Sequence, residues 1–258
     1  EKVRLHITSV DGAAATRDVN VVSSGTQRRA SYVLANSPDY AVTGTTFADI
    51  YENVEFPFYQ TQRGGVTYYE FDSSQKNLYF NGSTFQYTNN AVLDTAMSGS
   101  GKPGFFPFNN GNPPDKGKLD YGFGAKFEIP FSMTANGKID GSDIVFEFSG
   151  DDDVWIFIDG KLVLDMGGAH SKSEGSINFR TMKSTVATGV FDGNTNDRYA
   201  QVTTPYTYDF SSLVDFSDPT QTHTLTMFYM ERGMWESNLK LSFNFPQTNT
   251  LTVDTDVA

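Results

Sequence analysis

The sequence predicts an all-β fold, an antiparallel β-sandwich with long loops and insertions. Many short segments alternate apolar and polar residues, which is the pattern of strands that bury one face. Glycine, proline and asparagine separate these segments, and no heptad or internal repeat is visible. The 22 Phe and 13 Tyr can fill a core without disulfides, since the chain has no Cys. We expect one domain over residues 1–248 and the start of a linker over residues 249–258.

The first half of the chain carries six predicted strands and one short helix. A helix is predicted over residues 46–52, because Thr45 or Thr46 can cap its amino end. Asn81-Gly82 is a favoured pair for a two-residue hairpin turn, and it separates the last two strands. The strands are predicted over residues 3–10, 19–22, 56–60, 66–71, 77–80 and 84–87.

Residues 98–117 are rich in glycine, proline and asparagine, with Phe105, Phe106 and Phe108 embedded among them. This segment is too long for a simple turn. One interpretation is an Ω-type loop whose phenylalanines enter the core. The other is a wall of aromatic side chains beside a binding site.

The second half of the chain carries the clearer strand signals. Residues 124–134 alternate strictly, with every second side chain apolar or small. Similar patterns predict strands over residues 143–148, 154–158, 162–164, 175–179, 222–229 and 239–245. The last two are expected to form an antiparallel pair, joined by residues 231–238. Residues 181–205 are polar and are predicted to be a loop.

Three consecutive carboxylates, Asp151, Asp152 and Asp153, stand directly before an apolar run. Asp159-Gly160 then predicts a hairpin turn, so the acids lie at the mouth of a hairpin. Adjacent like charges raise one another's pKa. A hard cation such as Ca²⁺, which accepts roughly six to eight oxygen ligands, would neutralise them. The alternative is a solvated acidic turn that binds nothing.

Two stretches of the chain resemble the fibro-slime family. They are residues 144–170, which include GDDDVWIFIDGKLVLDMGGAH, and residues 222–245, which include FYMERGMWESNLKL. This family is similar to the protective-antigen-type β-sandwich domains of yeast flocculins and other microbial adhesins. Its pattern is a pair of acids, a strand ending in Asp-Gly and its paired strand, and later a strand ending in Glu, a loop and a closing strand. Many protective-antigen-type domains have Gly after the two acids, whereas Asp153 agrees with the fibro-slime branch.

The resemblance implies a calcium site. In sugar-binding members the two acids are joined by a cis peptide and hold a Ca²⁺ that coordinates sugar hydroxyls. Asp151 and Asp152 match those acids, and the loop before the last strand is expected to complete the ligand set. Its candidate oxygens are the side chains of Glu236 and Asn238 and the carbonyls of residues 233–235. The lectins have an Asn near the start of this loop, and this chain lacks it there.

Further residues are expected near the ligand, namely Asp153, His170, Arg232, Gly233 and Trp235. Trp235 is either a residue that stacks on a sugar or a rim aromatic that only packs. His170 is either a metal ligand or, in the favoured interpretation, a hydrogen-bond donor to Asp153 or Asp165, because calcium selects oxygen. Arg232, next to Glu231, is expected to form a buried fork with Asp153, which is an architectural role.

The net charge of −12 argues against nucleic acid, whose phosphates would be repelled. No run reaches the roughly 18 apolar residues that span a bilayer, so no membrane insertion is expected. Missing cysteines do not place the chain inside a cell, since Gram-positive surface proteins also tend to lack them. The chain begins at Glu1 without a signal peptide, which favours a mature or excised module.

We therefore expect an extracellular adhesin module, monomeric by itself, within a larger multidomain protein attached to the cell surface. Its expected partner is a glycan on a host or neighbouring cell, bound through Ca²⁺. The main alternative is a protein-binding or scaffolding tip domain in which calcium is purely structural.

The sequence leaves two other interpretations open, a glycoside hydrolase and a domain braced by an isopeptide bond. Carboxylate pairs can run glycoside hydrolysis, with Glu231 or Glu236 facing the acids. However, no nucleophile elbow, P-loop or zinc motif is present, and we predict that the domain is not an enzyme. An isopeptide bond to an Asn would brace the domain if one of three lysines were buried, namely Lys126, Lys161 or Lys240.

Overall fold

The computed structural model describes residues 51, 53–89, 104–111, 119, 123–167, 170, 172–187, 205–231 and 237–246, and, as backbone alone, residues 4–5, 23–24, 27–28, 33–34, 93–94, 102–103, 171 and 188–189. The chain divides into two compact units, Glu1–Asn53 and Val54–Ala258. Nowhere in this described part is there a helix long and apolar enough to cross a membrane. The predicted extents of the sandwich and of the linker stay predictions.

In the first unit, four two-residue strands form two pairs. β1 (Arg4–Leu5) runs parallel to β4 (Val33–Leu34). β2 (Ser23–Ser24) runs antiparallel to β3 (Gln27–Arg28). Outside the described residues lie most of the strand predicted over residues 3–10, the strand predicted over 19–22 and nearly all of the helix predicted over 46–52.

All regular elements in the described part of the second unit are strands. They are β5 (Tyr59–Arg63), β6 (Val66–Asp72), β7 (Leu78–Phe80), β8 (Phe85–Tyr87), β9 (Leu93–Asp94), β10 (Lys102–Pro103), β11 (Gly124–Ser132), β12 (Lys138–Ile139), β13 (Ser142–Asp143), β14 (Val145–Gly150), β15 (Asp153–Ile158), β16 (Lys161–Met166), β17 (Ser171–Asn178), β18 (Lys183–Gly189), β19 (Tyr206–Asp209), β20 (Thr222–Met230) and β21 (Leu239–Phe243).

Two antiparallel sheets make the body of this unit. One has seven strands in the order β19-β18-β17-β14-β21-β6-β5, and the other has four in the order β11-β20-β15-β16. Apolar side chains from both sheets form one core. For example, the rings of Phe131 in β11 and Phe245 just after β21 lie 5.0 Å apart. These observations confirm the predicted all-β antiparallel sandwich.

The two predicted hairpin turns are confirmed. β15 and β16 pair through Asp159-Gly160, where both residues have positive φ angles of 49° and 77°. A type I′ turn needs positive φ at both central positions. β7 and β8 also pair around Asn81-Gly82, but through a four-residue loop over residues 81–84 in which Gly82 has a positive φ, of 92°, and Asn81 does not. In both places the predicted turn residues mark the position of the hairpin.

One predicted pairing is wrong. β20 and β21 both alternate as expected, but they lie in different sheets. β20 pairs with β11 and β15, whereas β21 pairs with β14 and β6. Both strands bury one face in the common core. Alternation therefore cannot distinguish two neighbouring strands from two strands that face each other across a sandwich.

The loop predicted over residues 181–205 is also wrong at its start, which is strand β18. β18 is polar because it lies next to the edge strand β19, where burial is low. Ser184 is buried on its inner side, and its hydroxyl donates to the Val163 carbonyl of the other sheet at 2.5 Å. A strand in this position is held by backbone hydrogen bonds to its neighbouring strands, and it needs few apolar side chains.

The described part of the segment predicted over residues 98–117 supports the core interpretation. Phe105 and Phe106 are buried, whereas Phe108 is 37% exposed. The Phe105 ring lies 5.6 Å from that of Phe71 and 5.7 Å from that of Tyr229. This segment is thus attached to the core beside the end of β20.

Two connections between the sheets have described ends that lie side by side at one end of the sandwich. The first crossover, residues 151–152, leads from β14 in the seven-stranded sheet to β15 in the four-stranded sheet. The second crossover, residues 231–238, leads from β20 back to β21. β14 and β21 are neighbours in one sheet, and β15 and β20 are neighbours in the other. The topology therefore brings the two crossovers together.

The strand registers set how closely the crossovers approach. Gly150 lies opposite Leu239 in one sheet, and Asp153 lies opposite Met230 in the other. A Cβ atom at Gly150 would lie 2.8 Å from the carbonyl oxygen of Asn238. Glycine at this position thus permits a close approach that any side chain would prevent.

Candidate functional site

The first contact between the crossovers joins two residues that the sequence pointed to. The Asn238 side-chain amide donates a hydrogen bond to Asp151 Oδ2. Asp151 is half-buried, and so is Asn238. The structure therefore brings together the first predicted acid and one predicted ligand of the second loop.

The second contact is buried. Asp152 is only 6% exposed, and its Oδ2 accepts a hydrogen bond from the Tyr229 hydroxyl at 2.7 Å. Glu231, 2% exposed, lies near the same carboxyl group. Burial, followed by the charge of Glu231, raises the pKa of Asp152 well above its usual value.

Tyr229 stays a hydrogen-bond donor in this environment. Burial raises the pKa of its phenol well above the usual value, and the nearby charges of Asp152 and Glu231 raise it further. The phenol is therefore protonated at physiological pH. Its interaction with Asp152 lowers the cost of a buried carboxylate.

Asp153, next to the core residue Val154 on β15, lies near His170. Asp153 is buried, and its Oδ1 lies 3.9 Å from His170 Nε2, beyond hydrogen-bond distance. The His170 ring instead contacts the Met166 carbonyl at 2.8 Å and the Ser173 hydroxyl at 3.0 Å. Asp165 accepts a hydrogen bond from the backbone N–H of residue 167. His170 thus braces the connection from β16 to β17, and its predicted role near a ligand stays a prediction.

The remaining predicted site residues fall in the second crossover, outside the described residues. They are Arg232, Gly233, Trp235 and Glu236. Their proposed contacts, including the fork between Arg232 and Asp153, stay predictions.

Glu231 lies near Asp152, whereas the sequence predicts either an architectural role beside Arg232 or, in a hydrolase, a catalytic one. The sequence contains a pattern that points to Glu231. His223, Leu225, Met227 and Tyr229 occupy the buried side of β20, and Glu231 continues the same alternation. An acid placed on a buried side needs a partner. This pattern could have marked Glu231 as part of the site.

The oxygen atoms at this end fit the chemistry of a hard cation. Carboxylates from Asp151, Asp152 and Glu231, and an amide from Asn238, are the oxygen ligands that Ca²⁺ accepts. Within the described ranges, however, no three acidic or histidine side chains converge in a metal-binding arrangement. Asn238 offers its N–H group to Asp151, so its oxygen becomes a ligand only if the amide turns. Any further oxygen must come from residues 232–236.

The backbone differs in one respect from the sugar-binding domains that the sequence resembles. The described residues contain no cis peptide bond, and so Asp151 and Asp152 are joined by a trans peptide. The expected cis peptide is not present.

The lysines considered for an isopeptide bond do not meet the condition of burial. Lys126 and Lys240 are exposed and Lys161 is half-buried. Lys126 pairs with Glu128 at 2.7 Å, and Lys240 with Asp72 at 3.2 Å. These are surface ion pairs, and they give no support to a cross-link.

The sequence is similar to several proteins of Dictyostelium discoideum. Protein psiP is 27% identical over 177 residues, which are 64% of this chain and 18% of the relative. Protein psiB is 40% identical over 85 residues, which are 32% of this chain and 15% of the relative. Protein psiE is 52% identical over 42 residues, which are 16% and 8% respectively.

The chain thus spans less than a fifth of the length of these curated relatives. No family model matches the sequence, and no solved structure matches it. The names of the relatives state no ligand or activity. The function is therefore argued from the site.

Proposed function

We propose that this sandwich is an extracellular, cell-surface adhesin module that binds carbohydrate through a calcium ion, without enzymatic activity. The observation that carries this proposal is the meeting of the two crossovers, where the Asn238 amide donates to Asp151 beside the buried carboxyl group of Asp152. The resemblance to the fibro-slime and flocculin-type domains supports it. The partner is a glycan on a host or neighbouring cell.

Asp151 and Asp152 would hold the ion, and Asn238 and Glu236 are the proposed ligands from the second crossover. Negative charge at a partly buried site favours a cation, because desolvated like charges repel strongly. When bound, calcium supplies coordination positions at which sugar hydroxyls can replace water. Such contacts are weak singly, so adhesion would depend on many copies.

A second candidate function has an observation in its favour. Asp152 is 94% buried and is surrounded by Tyr229 and Glu231, so an ion placed on its inner side would be shielded from a ligand. In that case calcium only stiffens the crossovers, and the domain is a protein-binding or scaffolding tip.

A hydrolase is disfavoured by the burial of the acids. A glycosidase places two carboxyl groups against its substrate, on either side of the scissile bond. Asp152 and Glu231 are only 6% and 2% exposed, so neither carboxyl group is open to a sugar. No reducing sugar should be released from a polysaccharide panel.

Calcium titration by calorimetry tests the ion. The wild type is expected to bind one equivalent, and the double variant D151N/D152N is expected to bind none. Asp209→Asn is the matched control, since Asp209 is an exposed acid on β19 whose contact with the Ser211 N–H an Asn retains. Equal binding by the wild type and the double variant would contradict the proposal.

A glycan array with and without a calcium chelator then separates the two candidate functions. A carbohydrate adhesin gives a sugar signal that chelation abolishes and that D151N/D152N lacks. A scaffolding tip loses thermal stability on chelation but gives no sugar signal under either condition.

A further inference from the structure

A chain of buried polar contacts extends from Asp152 into the protein. Tyr229 Oη donates to Asp152 Oδ2 at 2.7 Å, and the Ser237 side chain interacts with the same phenol. Ser237 Oγ in turn donates to the Phe105 carbonyl at 2.6 Å. These contacts link β20, the second crossover and the segment around Phe105.

The chain of contacts is closed by a second hydrogen bond and a ring contact. The Phe105 N–H donates to the Ser237 carbonyl at 2.8 Å, so Ser237 and Phe105 are joined twice. The Phe105 and Tyr229 rings lie 5.7 Å apart with a T-shaped geometry. Ser237 and Tyr229 are both at most 1% exposed. Every member is therefore fixed by packing as well as by hydrogen bonds.

Ser237 directly precedes Asn238, the proposed ligand of the second crossover. Its backbone carbonyl accepts from the Phe105 N–H, and its hydroxyl donates to the Phe105 carbonyl. These two contacts fix Ser237 and, through it, Asn238, which reaches Asp151 directly before β21. Tyr229 meanwhile fixes one oxygen of Asp152. The Tyr229 and Ser237 hydroxyl groups thus hold Asp152 of the first crossover and the described end of the second.

We propose that Tyr229 and Ser237 are positioning residues of the cation site, which hold Asp152 and Asn238 in place and fasten both to Phe105. This inference rests on the proposed calcium site and goes beyond it, because neither residue is a proposed ligand. Partners that orient ligands govern metal affinity, and their loss typically weakens it by about 10–100-fold.

Calorimetric titration with calcium tests the positioning role with Tyr229→Phe, which removes the hydroxyl and keeps the ring. The calcium Kd is expected to rise by about 10–100-fold. Ser237→Ala, one contact further from Asp152, is expected to raise it less. In the double variant the two effects should not add, because the residues act in one network.

Tyr87→Phe is the matched control. The Tyr87 hydroxyl donates to the Pro57 carbonyl at 3.1 Å in another part of the same unit. Its loss is expected to leave the calcium Kd unchanged. Melting temperatures in chelator, measured for all variants, separate a loss of stability from a loss of affinity.

An unchanged Kd in both Tyr229→Phe and Ser237→Ala, with only the melting temperature lowered, would make these residues merely structural and overturn the inference. The calcium site itself would then stand. If the wild type binds no calcium, the proposed site and the inference fall together. If Tyr229→Phe does not fold, the Kd of Ser237→Ala decides.

Discussion

At the scale of single residues, the site combines two buried acids with one phenol and one amide. The sequence predicts Asp151 and Asp152 because three consecutive acids stand before a hairpin. It predicts Asn238 because the loop before the last strand matches the position of the second ligand loop in the domains that the sequence resembles. Tyr229 could not, since its alternation on β20 predicts only a core residue. Its hydroxyl matters only because β15 lies beside β20, and that neighbour relation is a property of the fold.

Replacing Asn238 by Asp tests the contact between the crossovers. The change puts a second carboxylate against Asp151, where an amide now donates. We expect a lower melting temperature in chelator, because like charges repel. We also expect a larger stabilisation by calcium than in the wild type, because the cation relieves that repulsion. Differential scanning fluorimetry with and without calcium measures both, and an equal calcium effect in the two proteins would contradict the expectation.

Asp143 gives the fold a dependence on acid pH. Hydrogen bonds from Arg180, at 2.6 Å, and from Asn178 hold the pKa of Asp143 below its ordinary value of 3.8. Its stabilising contribution is therefore present above that ordinary value and is lost as pH falls through the lowered one. Asp143→Asn should melt below the wild type at neutral pH, and the difference should shrink in acid. Glu174→Gln, an exposed acid on β17, serves as control, and a pH-independent difference for Asp143→Asn would refute this assignment.

At the scale of elements, the sequence predicts where the hairpin turns lie, but it does not predict to which sheet each strand belongs. Asp159-Gly160 has the positive φ at both positions that a two-residue turn needs, and Asn81-Gly82 marks the position of the other hairpin. The partners of β20 and β21 depend on which sheet each strand joins, and the same alternation suits either arrangement. The sequence does not predict β18, because a strand near a sheet edge needs few apolar side chains.

The hairpin turn offers a conformational test. Gly160 has φ of 77°, and a Cβ atom there would have no neighbour within 4 Å. Gly160→Ala therefore costs only backbone strain, expected to be about 1–2 kcal/mol in the free energy of unfolding. Gly124→Ala, a glycine on β11 without a positive φ, is the control. Urea unfolding measures the free energy of unfolding of both variants. Equal values for Gly160→Ala and Gly124→Ala would contradict the expected strain at the turn.

Arg63 ties four strands of the seven-stranded sheet together on its outer face. From β5 its guanidinium reaches Glu70 in β6, Ser242 in β21 at 2.8 Å and Glu147 in β14 at 2.7 Å. Arg63→Ala is expected to cost about 1 kcal/mol, and less at high salt, because the network is partly exposed. Lys126→Ala, which removes a single surface ion pair, should cost less. Urea unfolding at two salt concentrations measures both, and an equal, salt-independent loss would contradict a networked role.

At the scale of the whole molecule, the sandwich follows from many amphipathic strands that share one core. Aromatic residues fill that core, so no disulfide is needed. The site depends on this architecture, because two crossovers meet only where neighbouring strands in both sheets change sheet at the same end. The sequence contains both loops, but their meeting follows from the pairing of β14 with β21 and of β15 with β20.

Calcium should stabilise the folded domain as a whole. A ligand that binds only the native state adds about 2.7 kcal/mol to the free energy of unfolding at a hundredfold excess over its Kd. Urea unfolding with calcium and with chelator measures this difference. The variant D151N/D152N should show none, and a difference of the same size in that variant would place the ion elsewhere.

The most direct measurement is an anomalous difference map from crystals grown with calcium. We expect one peak between the crossovers, at about 2.3–2.6 Å from oxygen atoms of Asp151 and Asp152. Absence of a peak there, with Asn238 still bonded to Asp151 and Tyr229 still bonded to Asp152, would contradict the proposed cation site.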